Sequence, residues 1–140
     1  RINSAGGYAD GGLAYDGVVQ AGKDMAFKIF QDGDATPKNM TLTSIAQTAL
    51  AVPTDCLVTI WQEDVDSITL NTDLTAEVSR DGGATWTSIT LAEQATLDTG
   101  RILTGAADIS GQPSGTSMRY RIKTLNTKEQ RIHGVALQWS

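Results

Sequence analysis

The sequence predicts an all-β fold: an antiparallel β-sandwich, jelly-roll-like, with about eight to ten short strands and no significant helix. Three observations carry this reading. Apolar residues recur mostly at period two, the spacing of a half-buried strand. Turn residues interrupt them at roughly 8 to 12 residue intervals, which suits short antiparallel strands. The composition agrees, with 14 Gly and 18 Thr in 140 residues, the residue types of dense turns and exposed sheet surface. A closed barrel is the alternative arrangement.

Taken in order, residues 1–22 hold six glycines and little alternation, and read as a Gly-rich arm or linker. Residues 23–140 then form a single sandwich domain. Weaker strands are expected at Leu13 to Val19, Met25 to Phe30, Met40 to Ala46, Ser67 to Leu70 and Ile102 to Ile109. Cys56 to Gln62 is a strong strand, because Val58, Ile60 and Trp61 are β-branched or aromatic. Leu74, Ala76 and Val78 form a second alternating set, and Trp86 to Leu91 a third. Between these two, Arg80-Asp81-Gly82-Gly83-Ala84 is a hairpin signal, with two glycines beside an aspartate. In Ser117 to Leu125 the apolar Met118, Tyr120 and Ile122 alternate with Arg119, Arg121 and Lys123, so one face is buried and the other is a row of cations. Ile132 to Trp139 alternates again. The polar connection Asn126 to Gln130 has hairpin length, so these last two strands are expected to pair.

Composition narrows the function classes. A chain of 140 residues with 40% hydrophobic and 19% charged residues has room for one domain and a sizeable core. No apolar run reaches the ~18 residues that a spanning helix needs, so no membrane partner is expected. Cys56 and His133 are the only residues of their kinds, which rules out an internal disulfide scaffold and a familiar zinc site. The net charge of −5 disfavours a phosphate-tracking role, so no nucleic-acid partner is expected either. That net value hides an asymmetry: residues 61–100 are strongly acidic and residues 101–140 are basic. Either acidic middle strands lie beside basic terminal ones within the fold, or neighbouring subunits are complementary.

Little in the sequence points to catalysis. There is no G-x-S-x-G elbow to partner His133, and Cys56, opening an apolar strand, reads as a buried and inert thiol. No phosphate loop or dinucleotide fingerprint is present, so no cofactor is expected. Glu63, Asp64, Asp66, Asp73, Glu77 and Asp81 are the candidates for a carboxylate pair of the glycoside-hydrolysing kind. Within them Glu63, Asp64 and Asp66 could instead collect a hard cation, with Asp32-Gly33-Asp34 a second, weaker cluster. The arginine and lysine row, Arg119, Arg121 and Lys123, is a candidate intersubunit or ligand contact. Trp61, Trp86, Trp139, Tyr8, Tyr15 and Tyr120 are the candidates for stacking on sugar rings, although period two assigns most of them to the core.

Two resemblances extend this reading. Ser79-Arg80-Asp81-Gly82-Gly83-Ala84-Thr85-Trp86 fits the pattern S-x-D-x-G-x-T-W and resembles the Asp-box repeat of sialidases and other carbohydrate-active propellers. There the repeat is a structural hairpin, in which the Asp and Ser/Thr side chains hold the turn and the aromatic packs beneath. The resemblance therefore assigns Ser79, Asp81, Gly83, Thr85 and Trp86 a structural role and nothing catalytic. A wider likeness runs from near Pro53 to the end, through Glu63 to Asp66, Leu70 to Gly83, Ile109 to Ile122 and His133 to Trp139. These segments resemble the C-terminal region of virion proteins of tailed bacteriophages, labelled tail fibre or structural protein. That resemblance implies a non-enzymatic virion part, either a tail-fibre tip binding a host surface glycan or a capsid decoration. It also implies a homo-oligomer, usually a trimer, in contact with other virion proteins. A carbohydrate-binding module, or a fragment of a carbohydrate-active enzyme, is the competing expectation. An extracellular adhesion or surface-layer domain with calcium-dependent stability is a third.

Overall fold

In a computed structural model of the protein, the described residues are 13–15, 18–20 and 37–140. The chain divides into two compact units, Arg1–Ala35 and Thr36–Ser140. In the first, β1 (Leu13–Tyr15) and β2 (Val18–Gln20) pair antiparallel. The expected single strand over Leu13 to Val19 is thus two short paired strands. The strand expected at Met25 to Phe30, the Asp32–Asp34 cluster, Tyr8 and the remainder of the 1–22 arm lie outside the described residues.

In the second unit nine strands build two antiparallel sheets, a β-sandwich with free edges and not a closed barrel. They are β3 (Thr41–Thr43), β4 (Gln47–Thr48), β5 (Asp55–Asp64), β6 (Leu74–Ser79), β7 (Thr87–Ile89), β8 (Ala92–Leu97), β9 (Gly100–Asp108), β10 (Ser117–Thr124) and β11 (Gln130–Trp139). No helix occurs among the described residues. The first sheet has the order β3-β10-β6-β7, with β4 also on β10, and the second has the order β11-β5-β9-β8.

Period-two patterning explains the core. Val58 and Ile60 of β5 and Leu103 of β9 meet Ala76 and Val78 of β6, Ile89 of β7, and Met118 and Ile122 of β10, all buried. Close approach of the layers requires Gly105, since a Cβ there would lie 2.4 Å from Ile89 Cγ2 and 2.5 Å from the Thr90 carbonyl.

Three expectations need correction. β10 and β11 do not pair: β10 lies between β6 and β3 in one sheet, and β11 pairs with β5 in the other. The connection crosses between layers because both edges of β10 are already filled. Asn126 and Thr127 adopt positive φ values of 58° and 52° on the way, and the Asn126 amide donates to Asp73 at 2.6 Å. Ser67 to Leu70 is not a strand; Leu70 makes a single isolated bridge to Leu74. Conversely β4 and β8 were not expected, because neither alternates: every residue of both is exposed.

Candidate functional site

The first sheet carries the Asp-box turn between β6 and β7. Ser79 is fully buried, and its hydroxyl donates to Asp81 at 2.7 Å while accepting from the Gly83 amide at 2.8 Å. Asp81 in turn accepts from the Ala84 and Thr85 amides and from the Thr85 hydroxyl, at 3.0, 2.9 and 2.7 Å. Bonds from the Thr85 amide, then the Thr85 and Ser79 hydroxyls, favour the ionised form and hold the Asp81 carboxyl well below the usual carboxylate range. Gly82 and Gly83 supply φ values of 79° and 99°, which a side chain would oppose. The Trp86 indole donates to the Gly83 carbonyl at 2.9 Å and so closes the turn from below.

Behind the turn sits a polar hub that the sequence did not reveal. Arg80 is buried, and its guanidinium donates to the carbonyls of Pro53, Ser110, Gln112 and Pro113. The Gln112 amide donates to Val78 O and Thr87 Oγ1, both at 2.8 Å, and accepts from the Arg80 amide. One arginine therefore clamps two separate loops, the β4–β5 and β9–β10 connections, to the Asp-box strand. Its x position in the motif gave no signal, because the motif constrains only its neighbours.

The basic row projects from β10 beside this turn. Glu77 accepts from Arg121 at 2.7 Å and from Lys123 at 2.8 Å, and the Arg121 guanidinium stands 4.1 Å from the Trp86 ring centroid. Partial burial raises the Glu77 pKa, but the bonds from Arg121 and Lys123 outweigh it and leave the carboxyl below its ordinary value. The cations at 121 and 123 thus share one carboxylate, Glu77 of β6, in the same chain. Arg119 differs: its Nε is buried with no hydrogen-bond partner.

The acidic cluster on the second sheet is dispersed. Glu63 points outward and pairs with Arg131 at 3.1 Å and His133 at 3.0 Å, with the His133 bond the main cause of its lowered pKa. Asp64 pairs with Arg101 at 2.9 Å, and Asp66 accepts from the Glu129 amide at 2.8 Å. Alternation along β5 separates the first two, so Glu63, Asp64 and Asp66 do not form a cation site. Among the described residues no three metal-ligating side chains come together.

Most of the other candidates are in the interior. Cys56 is a buried free thiol, pushed up in pKa by burial. Trp139 and Tyr120 pack against the core. Trp61 does not: it faces out from β5, 37% exposed, tilted against the His133 ring at a centroid distance of 4.5 Å. A register irregularity between Ile132 and Gly134 places His133 there. A Cβ on Gly100 would come within 2.8 Å of the Trp61 Nε1, so the indole lies flat only because that position is glycine. The parity of Leu57, Thr59, Trp61 and Glu63 carried this signal.

A final surface lies along residues 40–52. Met40, Leu42, Ile45, Leu50 and Val52 are all exposed, Ile45 and Leu50 at 77% and 107%. Their backbone is nonetheless fixed to β10, with Thr124 N to Met40 O at 2.9 Å, Ser44 N to Tyr120 O at 3.0 Å and Ala49 N to Thr116 O at 2.8 Å. No protein-family model, curated protein or solved structure matches the chain.

Proposed function

We propose that the chain is a non-enzymatic structural module of a bacteriophage virion, a tail-fibre tip or a capsid decoration, that works as a homo-oligomer. The observation that carries this reading is the strap of residues 40–52, where five large apolar side chains stand in water on a hydrogen-bonded backbone. Exposed apolar surface of this kind marks a protein contact. Symmetric sister subunits would cover it, and the trimer that the phage resemblance implies is one such arrangement.

The test is the absolute mass in solution by light scattering near neutral pH, with and without a chelator. A trimer is expected, unchanged by the chelator, with the double variant Ile45→Asp/Leu50→Asp falling to the 14.9 kDa monomer. A wild-type monomer overturns the reading.

A carbohydrate-binding module is the second reading, favoured by the outward indole of Trp61 between His133 and Gly100. Aromatic faces offer apolar area to sugar rings, and Glu63 and Arg131 stand beside this one. A glycan-array signal lost in Trp61→Ala supports that reading. An array without signal removes it.

A further inference from the structure

We propose that the outer face of the first sheet, centred on Arg119, is a binding site for an acidic polysaccharide, which it grips by carboxylate or sulfate groups. The starting point is an unsatisfied donor. Buried polar groups are nearly always paired, yet among the described residues the Arg119 Nε–H has no acceptor; it is enclosed by protein, so a ligand would be met by the Nη groups of the same guanidinium. Neither ion pair on this face includes Arg119, because Glu77 is taken by Arg121 and Lys123. Among the described residues the face therefore holds three cations against one carboxylate.

Its geometry suits a repeating anion. Alternate residues of a strand share a face and repeat at ~7 Å, so Arg119, Arg121 and Lys123 form a straight line of positive charge. The Asp-box fixes one end of the line. A Cβ on Gly83 would lie 3.7 Å from Arg119 Cδ and 3.1 Å from Trp86 Cζ2, so the Arg119 stem rests beside the turn. A guanidinium presents a planar fork that matches carboxylate or sulfate oxygens.

The neighbours on the same face select the kind of partner. Cross-strand register places Thr43 opposite Arg121, Thr41 and Thr75 opposite Lys123, and Ser88 opposite Glu77. An open depression of 250 Å³ lined in part by Thr75, Glu77 and Ser88 adjoins the line. Hydroxyls and charges, with the Trp86 ring beneath Arg121 as the aromatic group among them, fit a polyhydroxylated chain. The chain's net charge of −5 works against nucleic acid.

The test is calorimetric titration of the full chain with polygalacturonate and with heparin, using dextran as the uncharged control and a short DNA duplex as the competing polyanion. Either acidic polysaccharide is expected to bind and dextran is not; comparing polygalacturonate with heparin tells carboxylate from sulfate recognition. Arg119→Met keeps the stem, removes the orphan donor and should weaken binding by about tenfold or more, with the urea midpoint unchanged or raised. Lys123→Gln, at the far end of the line, should weaken binding less and flatten its salt dependence. Absence of binding to both polysaccharides, affinity untouched by Arg119→Met and Lys123→Gln, or equal affinity for the DNA duplex overturns the proposal. Binding is read at any oligomeric state, so the outcome is independent of the solution mass.

Discussion

Around Arg80 the sandwich buries a guanidinium, a side-chain amide and the Ser79 hydroxyl, whereas along residues 40–52 it leaves five large apolar side chains in water. Both regions depart from the usual distribution of groups, in opposite directions. In the first, every buried donor named above has an acceptor, so the desolvation of charge is offset by a closed hydrogen-bond network. In the second, the backbone is hydrogen-bonded at Met40, Ser44 and Ala49 while the large apolar side chains are left unburied. The Arg80 region therefore belongs to folding, and the strap is left uncovered among the described residues, as the proposed contact with sister subunits needs.

Substitutions should separate these roles. Arg80→Ala strands the carbonyls of Pro53, Ser110, Gln112 and Pro113, and is expected to cost about 3–5 kcal/mol in urea unfolding. A loss below that of an ordinary surface substitution would mean that water replaces the clamp. Gly105→Ala drives a methyl into Ile89 and Thr90 between the sheets, with an expected loss of about 1–3 kcal/mol. Ser79→Ala removes the hydroxyl at the centre of the Asp-box, for about 1–2 kcal/mol. At the strap, Ile45→Asp/Leu50→Asp should leave stability at low protein concentration within about 0.5 kcal/mol while changing the solution mass.

Acid should sharpen the same contrast. Asp81, Asp73, Glu77 and Glu63 all have folded pKa values below their ordinary ones. Their contribution is complete above the unfolded carboxylate range and is lost as pH falls through the folded values, because there the unfolded state binds more protons. The urea midpoint is expected to drop below about pH 4, and Asp81→Asn should reduce that slope. An unchanged slope would show that the Asp-box charge contributes nothing.

The comparison also marks where sequence reasoning reached. Alternation in Met118 to Lys123 announced which side chains of β10 face inward, and the glycines of the Asp-box announced the β6–β7 turn. Both are local properties, set by backbone pleat and by φ values that glycine adopts freely. Alternation was silent about partners, so β11 was expected on β10 although β10 had no free edge. The mixed character of Glu63, Asp64 and Asp66 was equally hidden, since neighbours in sequence look close until the pleat sends Glu63 to Arg131 and Asp64 to Arg101.

Taken alone, the sequence determined the fold class, the inward face of the main strands and the Asp-box turn, because each follows from residue type and short-range geometry. Tertiary structure alone decided the strand order, the clamping of two loops by Arg80, the orphaned Nε of Arg119 and the exposure of residues 40–52. These depend on which long-range neighbour supplies an acceptor or covers a side chain, and no local pattern encodes that neighbour.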